Sequence, residues 1–160
     1  MKQQKLVVSY DVYQDIEELP VADKRLMVAA VAARENAYAP YSKFHVGAAV
    51  LLSNGEVVIG NNQENASYPS GLCAERVAIF HAGAKYPKEQ VISVAISATS
   101  VNYKVSSPAA PCGNCRQAIA EYEQKQKQPI SIVLMGEIGE VIKIHALQDI
   151  LPLAFSSDFL

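Results

Sequence analysis

Three cysteines and one glutamate carry the chemistry most readily read from this chain. Cys73 is followed two positions later by Glu75, and 39 positions after Cys73 comes Cys112-Gly113-Asn114-Cys115. Sulfurs at this spacing suit zinc, and three protein ligands leave the fourth tetrahedral position open, as a catalytic rather than a structural site requires. Zinc lowers the pKa of a bound water toward about 7, so a nucleophile is available at neutral pH. Glu75 is the carboxylate placed to carry that water's proton. Three thiolates make the site net negative, which opposes ionisation of the water. Two helix N-termini, beginning at Cys73 and Cys112, would offset the charge, and Arg76 would add a guanidinium. The competing readings are a structural zinc or inert buried thiols, but a closed site needs a fourth ligand and no cysteine is left to supply it. Glu75 as a solvated helix residue and Arg76 as an ordinary surface or interface arginine are the corresponding alternatives.

The elements that must position these groups follow from periodicity. Val21 to Ala37 repeats Leu26, Ala29, Ala30, Ala33 and Ala37 at helical spacing, with Pro40 expected to force the stop. Phe44 to Leu52 is a nearly continuous apolar run that Asn54-Gly55 turns back into Val57 to Gly60, a hairpin around a doubly covered central strand. Residues 62–71 lack periodicity and read as a loop delivering polar side chains. A helix is expected from about Cys73 to His81, ending near Gly83. Val91 to Ala98 reads as a buried strand, 99–111 as a loop whose length is explained by a metal site at its end, and Cys112 to about Gln124 as a helix. Ile130 to Met135 and Glu140 to Ile144 are strands whose short connection demands an antiparallel pair. Residues 146–153 read as a short helix or turn, and 5–13 as a short edge strand or an ordered extension. The expected class is α/β, a three-layer helix-sheet-helix with a mixed sheet of about five strands. Both cysteine segments then start helices at one end of that sheet, where ligands usually bind.

Length and composition narrow the function. A chain of 160 residues reads as a single domain, 1–160, with 1–20 as an N-terminal extension. Its hydrophobic content of 50%, charged content of 19% and net charge of −2 suggest a small substrate and no nucleic-acid partner. The sequence has no apolar run long enough to span a bilayer and no signal-peptide core, and its three cysteines suit a reducing compartment. A cytoplasmic location without a membrane partner is therefore expected.

The sequence resembles the small, homotetrameric, zinc-dependent cytidine deaminases from about Val21 onward. The likeness rests on Phe44-His45-Val46-Gly47-Ala48-Ala49, Asn62-Gln63-Glu64-Asn65-Ala66-Ser67-Tyr68, Cys73-Ala74-Glu75-Arg76, Pro111-Cys112-Gly113-Asn114-Cys115-Arg116-Gln117 and Leu151-Pro152-Leu153-Ala154-Phe155-Ser156. It implies hydrolysis of cytidine and 2′-deoxycytidine to the uridines with release of ammonia, in pyrimidine salvage. By the same likeness Cys73, Cys112 and Cys115 hold one zinc per chain, and Glu75 moves protons from water to N3 and assists the departure of ammonia. Phe44 lies near the pyrimidine, Asn62 and Glu64 bind the ribose hydroxyls, Ala74 and Cys115 offer backbone N–H groups, and Phe155 reaches a neighbouring subunit's base. The simpler readings are that Asn62 and Glu64 hold their loop, that Phe44 is strand core, and that Phe155 caps its own subunit. His45, His81 and His145 lie away from the ligand motifs and read as non-catalytic. The chain departs from the wider family in having Cys73 where larger dimeric deaminases and nucleotide or polynucleotide editors have histidine. It also has a longer leader, and Pro108-Ala109-Ala110-Pro111 where a serine often precedes the proline. Deamination of another cytosine nucleoside, such as blasticidin S, and an idle zinc-containing scaffold are the alternative functions.

Overall fold

The apolar run Phe44–Leu52 (β2) alternates between two cores, and this alternation sets the layers. Ala48, Val50 and Leu52 pack into a cluster with Ala74, Ala78, Ile79 and Ile119, while Ala49 packs on the opposite side with Leu26, Met27 and Ala30. A strand covered on both faces is apolar nearly throughout, which is why its sequence lacks a polar alternate beyond His45, at its half-buried start. The computed structural model describes residues 1–160, apart from the side chain of Asp158. One helix, α1 (Val21–Arg34), covers one face of the sheet, and α2 (Ala74–Lys85) and α3 (Gly113–Gln126) cover the other.

The remaining strands are β1 (Tyr10–Tyr13), β3 (Val57–Asn61), β4 (Val91–Ser100), β5 (Ser131–Met135) and β6 (Val141–Ile144). They lie in the order β1-β6-β5-β4-β2-β3. Only β4 and β5 pair in parallel, and α3 makes the crossover between them. The sheet thus has six strands where the sequence suggested about five. The sixth is β1, antiparallel to β6 from Tyr10↔Ile144 to Tyr13↔Val141. Its residues are largely exposed, so burial left no clear pattern in the sequence to separate a strand from an extension.

Two helix ends differ from expectation for local reasons. α1 stops at Arg34 rather than Ala37, because Asn36 and Ala37 donate to the carbonyls of Ala33 and Arg34 in tight turns before Tyr38 bridges to Gln63. α2 runs through Gly83 to Lys85. A Cβ on Gly83 would lie 2.3 Å from the Tyr122 hydroxyl, so this glycine admits an aromatic of α3 instead of ending the helix.

Beneath α3, the buried Glu123 accepts the N–H groups of Ile130, Leu147 and Gln148 at 2.7–2.9 Å. One carboxylate thereby joins the end of α3 to the start of β5 and to the turn at Leu147–Ile150. An acidic group near a helix C-terminus opposes the dipole. The three charge-assisted hydrogen bonds compensate.

Candidate metal centre and substrate cleft

Cys73 and Cys112 are the N-cap residues of α2 and α3, both with extended backbone and neither with a capping side-chain bond. This frees each thiol to face the other helix at its positive end. Gly60 of β3 allows α2 to sit there, since a Cβ would come within 2.5 Å of Ala78 N and 2.8 Å of Ala74 O. Cys115 lies in the first turn of α3, fully buried. Its sulfur is 3.5 Å from that of Cys112, which is 3.9 Å from that of Cys73, and all three sulfurs lie within 4.8 Å of one another.

Arg76 extends one nitrogen to 3.9 Å from the Cys73 sulfur and 3.4 Å from the Gly71 carbonyl. Contact with Cys115, assisted by Arg76 and opposed by burial, brings the Cys73 thiol down to about 5. Cys115 moves the other way, because the Cys73 thiolate beside it, burial and Glu75 all oppose a second negative charge. Protein groups alone thus favour the thiolate at Cys73 and oppose it at Cys115. A divalent cation is what permits three to stand this close, and three soft sulfurs suit zinc. The donor set therefore fits the metal.

Glu75, only 4% exposed, lies in the first turn of α2. Burial raises its carboxyl above the ordinary carboxylate range, and the Cys73 thiolate adds to this, while its own backbone N–H, Cys115 and Arg76 act in the opposite direction. A carboxyl kept from ionising too readily is suited to accept a proton and return it.

Two adjoining cavities of about 260 and 450 Å³ share Ser42, Asn62, Glu64 and Cys73. Phe44, Val46, Glu75, Ile96, Ala109, Ala110 and Cys112 complete the smaller, and Tyr41, Tyr68 and Arg76 help line the larger. The sequence-derived residues Phe44, Asn62, Glu64, Cys73, Glu75 and Cys112 are thus brought together. The Asn62 amide also does structural work: its oxygen accepts from Val46 N at 2.8 Å and its nitrogen donates to Phe44 O at 2.9 Å. Glu64 accepts the N–H groups of Tyr41 and Ser42 at 2.9 and 3.3 Å. Burial raises its pKa, but hydrogen bonds from Ser42 and Tyr41 outweigh that and hold the carboxyl below its usual value, with His45 contributing. Gln63 and Leu72 exchange both backbone hydrogen bonds, 2.8 and 2.9 Å, which joins this loop to the residue preceding Cys73.

Ala74 opens α2, and the first N–H groups of such a helix have no intrahelical acceptor. Phe155 lines neither cavity. It is 58% exposed and stacks on Phe159 with centroids 5.6 Å apart. The three histidines lie outside the sulfur cluster, and His145 instead pairs with Asp11 at 3.2 Å. Ala109 and Ala110, from the segment 108–111 that departs from the family pattern, line the smaller cavity, whereas the places of Tyr41, Ser42 and Ile96 in the cleft escaped the sequence reading. A turn after α1, marked by Pro40-Tyr41-Ser42, was the available signal for Tyr41 and Ser42.

Comparison with known proteins gives a consistent result. The family model described as the cytidine and deoxycytidylate deaminase zinc-binding region matches residues 20–129. A cytidine deaminase of Halalkalibacterium halodurans is 38% identical over 137 residues, 85% of this chain and 96% of the relative. One from Sporosarcina psychrophila is 38% identical over 144 residues, 90% of this chain and 93% of the relative. The crystal structure of a cytidine deaminase from Burkholderia pseudomallei superposes with a TM-score of 0.71 at 41% identity, covering 82% of this chain and 97% of the other.

Proposed function

Because the chain belongs to the cytidine and deoxycytidylate deaminase family, we infer that it is a zinc-dependent enzyme hydrolysing cytidine and 2′-deoxycytidine to uridine and 2′-deoxyuridine with release of ammonia. The observation that carries this reading is the buried Glu75 carboxyl beside three clustered sulfurs, in a cleft also lined by Phe44, Asn62 and Glu64. Zinc bound by Cys73, Cys112 and Cys115 supplies the Lewis acidity that makes water nucleophilic at neutral pH.

The chain's own groups do the rest. Glu75 accepts the proton of the attacking water and passes it to N3 of the pyrimidine. The same carboxylate then takes the remaining proton of the water-derived hydroxyl on C4 and hands it to N4 as the C4–N4 bond breaks, so the water oxygen stays on C4 as the carbonyl and ammonia leaves. Arg76 balances thiolate charge at Cys73, and backbone N–H groups of Ala74 and Cys115 orient the base. Phe44 packs near the pyrimidine, while Asn62 and Glu64 accept or donate to ribose hydroxyls. Glu64 keeps acceptor capacity for this beyond its bonds to Tyr41 and Ser42.

The active unit in this reading is a homotetramer in which Phe155 completes a neighbour's pocket. The exposure of that ring and its absence from the cavities of its own chain support the assignment. The whole chain, 1–160, acts as one domain in cytoplasmic pyrimidine salvage, and among the described residues no helix is long and apolar enough to cross a membrane. Incubation of zinc-loaded protein with cytidine, deoxycytidine, cytosine, dCMP and blasticidin S, followed by ultraviolet absorbance and ammonia release, tests the function. Turnover of the two nucleosides is expected; no ammonia from either would overturn the reading.

A further inference from the structure

Arg116 follows Cys115, yet its side chain turns away from the sulfurs. Its Nε donates to the Pro111 carbonyl and its Nη1 to the Ile150 carbonyl, both at 2.8 Å and both partly buried. Pro111 immediately precedes Cys112. Ile150 closes the turn Leu147–Ile150 that leads to the tail carrying Phe155.

The value of the first bond lies in what else holds that loop. Val105 is fixed by accepting the N–H groups of Glu137 and Ile138 at 2.7 and 3.4 Å. From Ser106 to Pro111, the described residues make no other hydrogen bond than the one from Arg116. Ala109 and Ala110, which line the smaller cavity, belong to this sparsely tethered stretch.

We propose that Arg116 is a positioning residue: its single guanidinium fixes the loop bearing Cys112, Ala109 and Ala110 to the C-terminal turn, so that cavity wall, metal ligand and tail move as one body. A planar guanidinium holds the two carbonyls with donors on separate atoms in fixed directions, whereas the three donors of an ammonium radiate from a single nitrogen on a flexible stem. The proposal rests on the deaminase reading only where zinc and turnover are measured.

The test compares wild type with Arg116→Ala and Arg116→Lys. Amide exchange is followed over 105–116 and 147–156, with zinc release to a chromophoric chelator and steady-state kinetics on cytidine. In Arg116→Ala, exchange rises in both segments together while β4 and the body of α2 stay protected. Zinc release accelerates about tenfold or more, as loss of a charge-assisted hydrogen bond implies. KM rises more than kcat falls, since the loosened wall carries no proton. Arg116→Lys, which keeps the charge, reproduces the paired increase in smaller measure and serves alone should the alanine variant fail to fold. Exchange unchanged from wild type, or raised in one segment only, would overturn the proposal. Wild-type protein that holds no zinc and releases no ammonia would instead overturn the proposed function, leaving the exchange result to judge Arg116 by itself.

Discussion

Replacing Asn62 by alanine should damage the strand as well as the substrate contact. The amide bridges Val46 N and Phe44 O at 2.8 and 2.9 Å, so the variant removes two hydrogen bonds and leaves a donor and an acceptor of β2 without partners. Each bond contributes about 1 kcal/mol, and each orphaned group adds a penalty that partial access of water reduces. The expected loss is about 2 to 3 kcal/mol of folding stability. Urea denaturation at fixed protein concentration and saturating zinc measures it as a shift in midpoint at constant slope. Asn62→Asp sharpens the test, because an ionised carboxylate still accepts from Val46 but sets a second acceptor against the Phe44 carbonyl. It should be at least as unstable as alanine. Glu64→Ala, whose partners Tyr41 N and Ser42 N lie on an exposed turn, should cost about 1 kcal/mol or less while raising KM for cytidine. Should Asn62→Ala match wild-type stability within about 0.5 kcal/mol, the amide is not holding the strand and the argument fails.

Glu75→Gln should retain one zinc per chain and lose about 10⁴-fold in kcat, the upper end for one proton-transfer group; a variant keeping a tenth of wild-type turnover would show that another residue carries the proton. Cys112→Ala should lose stoichiometric zinc by metal analysis and melt at lower temperature, because the free energy of metal binding is also folding free energy. Phe155→Ala should weaken apparent substrate affinity by about 1 to 3 kcal/mol, the range for an aromatic stacked on a base, without loss of zinc. Hybrids of Phe155→Ala and Glu75→Ala chains should regain wild-type-like KM at sites that combine an intact Glu75 with a borrowed Phe155, and no recovery in verified hybrids would return the tail to its own subunit.

The metal centre was legible in the sequence because its information is local. Cys73 with Glu75, and Cys112 with Cys115, each fit within a single helical turn, and each cluster announces a helix start. Features that depend on contact between distant segments were not. Gly83 carries the ordinary signal of a helix end, and only the Tyr122 ring from α3 explains why α2 continues past it. Glu123 looks like one more solvated glutamate in a polar helix, yet it gathers amides from Ile130, just before β5, and from the turn at Leu147–Ile150. Asn62 stood between two readings, ribose ligand and loop anchor. Its bonds to β2 show the anchoring contact, and the ribose contact is the proposed one.

The reciprocal pairing of Gln63 with Leu72 bears on how the enzyme tolerates its own thermal motion. It ties the backbone beside Asn62 and Glu64 to the residue that leads into Cys73, α2 and Glu75. A shift of α2 would therefore be felt by the loop that carries Glu64, the carboxylate proposed to meet the ribose, and the span from sugar to reacting carbon would change less than if the two segments were untied. A misplacement of about 1 Å at a reacting centre can cost a hundredfold in rate. A tie between the two segments thus protects their spacing, the quantity on which the reaction depends, rather than the position of either one.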